Sequence, residues 1–156
     1  MPEHTLHYSQ TLEFPRSCVF EFFAEAANLG TITPPELEFV ILSKLPLEMK
    51  EGAEIAYRLK LFGVPFSWKS RIIAWSPPDF FVDEQVEGPY RLWIHKHSFR
   101  DGPNGTTIID DDVRFRLPVA PMGEAAYPIV RKQLERIFIY RQQAVRSILL
   151  QKQGIK

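Results

Sequence analysis

The stretch from Gly88 to Phe99 constrains this chain more than any other, because it opens on a Gly-Pro turn signal and then alternates. In an extended strand, successive side chains point to opposite faces. One face carries Arg91, Trp93, His95, His97 and Phe99; the other carries Leu92, Ile94, Lys96 and Ser98. The first face mixes aromatic rings with titratable groups, which suits the wall of a cavity better than a dry core. The rest of the chain reads as a shell built around this strand.

The shell begins with a strand over residues 5–14, where Leu6, Tyr8, Gln10, Leu12 and Phe14 share one parity. Pro15 suits the first turn of a helix, and Val19, Phe22, Phe23 and Ala26 come after it at helical spacing, so a helix is expected over 15–27. Cys18 falls on its apolar face and reads as a small buried hydrophobe. Asn28-Leu29-Gly30 ends the helix, and Pro34-Pro35 limits the next segment to a short turn or loop. Strands joined by turns come next: a short one over 38–42, then Glu54 to Leu61, Phe66 to Trp75, Phe80 to Glu87, the Gly88–Phe99 stretch, and Thr106 to Leu117. In the last of these, Asp111, Val113 and Phe115 share a face, while Asp110 and Asp112 face water beside Arg114 and Arg116. Strands this closely spaced indicate an antiparallel meander. A long helix over 125–151 closes the chain, with Val130, Leu134, Ile137, Phe138, Val145, Ile148 and Leu149 on one stripe. Arg141 interrupts that stripe, and a cation there needs a carboxylate partner, Asp111 first and Asp83 second, or a route to water.

Composition narrows the function classes. At 156 residues the chain fits a single domain, 1–156, with a real core. Lys plus Arg and Asp plus Glu each total 19, which argues against nucleic acid as the main partner. Cys18 has no second cysteine for a disulfide or a multi-cysteine metal site, which points to a reducing cytoplasm. Met1-Pro2-Glu3-His4-Thr5 lacks the features of a signal peptide, and no apolar run approaches the roughly 20 residues of a membrane span. Loops of the GxGxxG, GxSxG, Walker and CxxC kinds are absent, so nucleotide and hydrolase chemistry find no support.

The order strand, two short helices, antiparallel meander, long C-terminal helix is similar to the START-like (SRPBCC) superfamily, and in particular to its small bacterial members, some labelled cyclase/dehydrase-like or cell-division-inhibitor-like. The segments carrying the resemblance are Ile32-Thr33-Pro34-Pro35, Phe81 to Gln85, Gly88-Pro89-Tyr90, Trp93 to His97, Asp111 to Pro118 and Ile137 to Arg141. The resemblance implies an α+β helix-grip fold, in which a curved antiparallel sheet wraps the C-terminal helix and encloses a ligand cavity. It does not select a function, because one fold hosts lipid carriers, hormone receptors, cyclases and hydroxylase subunits.

If the strands pair as a meander, Asp83, Gln85, Trp93, His95, His97, Asp111 and Phe115 converge on the inside of the sheet, with Tyr57 and Arg141 near. These nine form the expected ligand-binding set. The histidines can tie the interior together with carboxylates, orient a ligand, join a carboxylate around a metal, or act as acid and base. The first two roles are favoured, since a His-x-His pair alone is a weak metal signal. No cofactor, metal or catalytic residue is therefore assigned. The expected partner is a small hydrophobic or amphipathic molecule. The alternatives are a cyclase/dehydrase-type enzyme using His95 or His97, and a protein-interaction module without a small ligand.

Overall fold

A computed structural model describes residues 2–118 and 122–154. Its elements are β1 (His4–Leu12), α1 (Arg16–Ala24), β2 (Val40–Ile41), β3 (Glu54–Leu61), β4 (Val64–Ser76), β5 (Phe80–Glu87), β6 (Leu92–Asp101), β7 (Thr107–Arg116), α2 (Met122–Ala125) and α3 (Tyr127–Gly154). Three single turns of tight helix, at Ala26–Asn28, Gly30–Ile32 and Pro35–Leu37, link α1 to β2. The strands form one antiparallel sheet in the order β1-β7-β6-β5-β4-β3-β2. Strands β2 to β6 each pair with the next in sequence, and β7 pairs with β1 on its other edge. The result is the expected helix-grip arrangement, a curved sheet closed by the long α3.

Local chemistry explains the elements. In β3, Ile55, Leu59 and Leu61 are buried and Glu54 and Arg58 exposed, the period of a half-buried strand. The β3–β4 hairpin turns on Phe62 and Gly63, with φ of 53° and 77°, between the paired Leu61 and Val64. A two-residue loop with both φ positive has the twist that antiparallel strands need. Farther along β4 the pairing with β5 slips at Lys69/Ser70 and at Ile72/Ala74. Such irregularities bend a strand, and here they curl the sheet toward α3.

Two apolar clusters fill the interior. One gathers Leu12, Phe14, Val19, Phe20, Ile72, Phe81, Phe99, Ile109, Val145 and Leu149. The other gathers Leu6, Leu59, Trp68, Trp93, Val113, Phe115, Leu134 and Phe138. Helix α3 serves both, Leu134 and Phe138 in one and Val145 and Leu149 in the other, so its stripe is buried as the spacing predicts.

The structure corrects several local expectations. Helix α1 stops at Ala24, not residue 27, because Glu25 is extended and both its amide and the Asn28 side chain take the Phe22 carbonyl. Cys18 is exposed: the buried arc of this short helix runs through Val19, Phe20 and Phe22, and Cys18 falls outside it. Arg91 lies before the start of β6, is exposed and donates from Nε to the Pro118 carbonyl, so it does not join the inward face. Strand β2 spans only two residues. Asp110 pairs with Arg100, and Asp112 with His7, across adjacent strands; Arg114 and Arg116 meet Glu3 instead.

Phe62 holds a left-handed backbone while its side chain is 58% exposed, a conformation bulky residues adopt at a cost. Phe62→Asn, which suits such a turn, is expected to raise stability by about 0.5–1 kcal/mol. Urea denaturation measures it; an unchanged or lowered midpoint contradicts this account of the turn.

Candidate functional site

A polar belt crosses the interior where the two apolar clusters meet. On β7, Asp111 sits between Ile109 and Val113; on β6, His95 and His97 sit between Trp93 and Phe99; on α3, Arg141 sits between Phe138 and Val145. Strand β5 contributes Asp83 next to Phe81, β4 contributes Ser70 between Trp68 and Ile72, and β3 contributes Tyr57. The β6 side chains point as the alternation predicts: Trp93, His95, His97 and Phe99 are buried and Lys96 is exposed.

The hydrogen bonds in the belt run diagonally. His95 lies opposite Asp83, and His97 lies opposite Asp111. Yet His97 Nε2 donates to Asp83 Oδ2 at 2.7 Å, and His95 Nε2 donates to Asp111 Oδ1 at 2.8 Å. Diagonal cross-strand neighbours are within reach of side chains this long. The crossing lays one imidazole over the other, with ring centroids 3.6 Å apart and planes 24° apart. Phe81 stacks on the far side of His97 at 4.1 Å, and Phe138 meets His95 edge-on at 5.5 Å.

Burial opposes the charges of Asp83 and Asp111, but the hydrogen bond from its own histidine, both imidazoles' fields and the Arg141 field outweigh it, so each carboxyl lies below its ordinary range. His97 is pushed the other way. Burial and the neighbouring His95 lower its pKa, and the attraction of Asp83 and Asp111 does not restore it. Its Nδ1 is buried without a hydrogen-bond partner, 3.5 Å from Asp111 Oδ1. Tyr57 and Tyr90 are pushed up by burial and stay neutral.

The belt borders a cavity of about 140 Å³ between the sheet, α3 and the turns after α1. Tyr57, Asp83, Trp93, His95, His97 and Arg141 line it. Asp111 stands behind His95, outside the lining, and acts through that hydrogen bond. Phe115 is fully buried in the core behind Trp93 and does not border the cavity. Gln85 does not border it either. Its side chain bonds both the amide and the carbonyl of Tyr90, closing the β5–β6 connection. Of the two outcomes expected for Arg141, a carboxylate partner or a route to water, the side chain takes the second in part, being partly exposed. It makes no ion pair with Asp83 or Asp111, because the histidines already occupy those carboxylates. Sequence reasoning missed Ser70, Tyr90 and Phe39 in the wall. Ser70, a small polar residue on the parity of Trp68 and Ile72, was the available signal.

Asp83, His95 and His97 place one donor atom each within 4.8 Å of one another, a spacing that a metal ion can use. Imidazole lone pairs lie in the ring plane, however, and nearly parallel stacked planes do not converge on one ion. Ligation here requires the stack to open and the hydrogen bond to Asp83 to break.

No protein-family model and no curated protein matches the sequence. Solved structures do match. TTHA0849 from Thermus thermophilus superposes with a TM-score of 0.78 at 11% identity, over 96% of this chain and 99% of that one. The Zhui aromatase/cyclase from a Streptomyces species gives 0.76 at 17% identity, over 94% and 93%. A START superfamily protein from Mycobacterium smegmatis gives 0.71 at 12% identity, over 95% and 98%. At these identities the likeness is one of fold: the chain has the START-like helix-grip fold. No helix of the described residues is long and apolar enough to cross a membrane.

The lowered pKa of His97 has a definite sign in stability. The unfolded chain binds the proton first, so this contribution is present above the ordinary imidazole value of about 6.5 and is lost as pH falls through the folded value. His7, raised by its exposed hydrogen bond to Asp112, works in the opposite sense, and the carboxylates titrate far lower. In a His7→Asn background, the melting temperature is therefore expected to fall between about pH 7.5 and 5.5, and His97→Asn to flatten the fall. Thermal unfolding across that range decides it; an equal slope in both proteins contradicts the assignment.

Proposed function

We propose that this START-like helix-grip chain binds a compact, mostly apolar molecule in the cavity between the sheet and α3, with the ligand's polar end at the Asp–His belt. The observation that carries the reading is one cavity with two kinds of wall. Phe39, Tyr57, Trp68, Trp93 and Tyr90 form a chain of ring contacts with centroids 4.8–6.0 Å apart, and Asp83, His97 and Arg141 border the same space. A mostly apolar pocket with a few placed polar groups is the usual form of a small-molecule site. The volume limits the ligand. About 140 Å³ is below the roughly 300 Å³ typical of drug-sized ligands and near the roughly 150 Å³ apolar cavity that admits benzene, so the fit is to a single-ring compound. The START-like and cyclase neighbours support a hydrophobic ligand-binding fold in general.

A second reading, acid–base catalysis, is favoured by one observation: His97 is held by Asp83 at the cavity wall, with its pKa lowered toward the base form. Such an enzyme exchanges a bound ketone's α-protons with solvent, which a binding protein does not.

The test is thermal unfolding with a panel of single-ring and small bicyclic compounds. A bound compound raises the melting temperature by linkage. His97→Ala is expected to lose about 1–3 kcal/mol of stability from the stranded Asp83, and to shrink the ligand increment beyond that loss. A stability loss with an unchanged ligand increment assigns the histidines a structural role alone. No shift of the wild-type melt by any compound overturns the binding reading.

A further inference from the structure

We propose that the ligand of this cavity carries a negative charge, a carboxylate, and that Arg141 is the residue that receives it. The inference rests on the binding reading above and adds the chemical class of the ligand.

Arg141 lies on the apolar stripe of α3 between the buried Phe138 and Val145, is itself partly exposed, and lines the cavity. Its guanidinium carbon is 5.3 Å from the Phe138 ring centroid, so the cation is braced on an aromatic face. Its Nε is buried without a hydrogen-bond partner, and among the described residues its other nitrogens make no ion pair. The surface arginines are treated differently. Arg71 meets Glu54, Arg100 meets Asp110, Arg136 meets Glu36 and Arg146 meets Glu13, all at 2.8–3.0 Å. Exposed pairs of this kind contribute little, whereas burying a donor without an acceptor, as at Arg141 Nε, is costly. A partly buried guanidinium that borders a cavity and holds one buried donor without an acceptor is complementary to an anion.

The protein's own carboxylates do not supply that anion. Asp83 and Asp111 reach Arg141 through their fields, but their hydrogen bonds go to His97 and His95. Asp83 shares the wall and keeps its charge, since its bond is to an imidazole held toward the neutral form, so a bound acid must gain more at Arg141 than it loses to that carboxylate. The planar guanidinium matches two carboxylate oxygens with parallel N–H donors. A second donor is at hand in Tyr57. Burial keeps its hydroxyl protonated, and its hydrogen bond with Ser70 Oγ is long, 3.5 Å, while Ser70 Oγ also accepts from Trp68 Nε1 at 3.0 Å.

The experiment uses the full chain and matched probes: benzoate, phenylacetate and 3-phenylpropanoate, each beside its neutral amide, titrated by calorimetry at neutral pH. At least one acid is expected to bind about tenfold or more tightly than its amide, the difference a charge-assisted bidentate contact supplies. Arg141→Met is expected to abolish that preference, the acid losing about tenfold more affinity than its amide, and Arg141→Lys to keep part of it. Amides binding as well as acids, or a preference that survives in Arg141→Met, overturns the anion and leaves the cavity-binding reading standing. Binding of neither set overturns both. Circular dichroism of each variant separates lost binding from lost fold.

Discussion

The structure turns on a constraint of electrostatics: two aspartates stand inside the sheet, and each must be satisfied there. A buried carboxylate survives only with a partner that can donate to it. His95 and His97 are those partners, and β6 places both on its inner face. Because the bonds run diagonally, they tie β5 to β6 and β6 to β7 with one stacked pair of rings. Removing any one of the four leaves another stranded, so the belt behaves as a unit.

The belt also explains why the interior is two clusters with a cavity beside their junction. Apolar side chains cannot close over groups that must keep their hydrogen bonds. Helix α3 follows the same division, with Arg141 facing the belt between its two apolar halves. The aromatic wall on β3, β4 and β6 forms the other side of the space. The chemistry available there combines an oriented imidazole, an engaged carboxylate, a neutral tyrosine hydroxyl and a guanidinium whose Nε lacks an acceptor among the described residues, around a volume the size of one ring.

Much of this was readable from alternation. The parity of β6 placed Trp93, His95 and His97 inside, and the parity of β7 placed Asp111 beside them, because one buried face fixes register strongly. Parity does not say which of two neighbouring positions a long side chain reaches, so the diagonal bonds were not foreseen. Nor does it show where inward residues stop bordering a cavity: Phe115 packs into the core, and Gln85 turns to the Tyr90 backbone. Arg141 was rightly singled out as a cation on an apolar stripe. Its expected ion pair failed because the histidines claim the carboxylates first, a competition that spacing along the chain does not record. Cys18 was misplaced because a helix of nine residues buries a narrow arc, and the spacing alone left its centre one residue off.

The central claim is that the belt faces a space made for a small molecule. Native mass spectrometry of the chain purified from its own host tests it most directly. The account expects a non-covalent adduct, released on activation as a small anion and absent from Arg141→Met prepared in the same way. Bare protein alone, with no small molecule freed on denaturation, from preparations that keep the folded charge-state envelope, contradicts it.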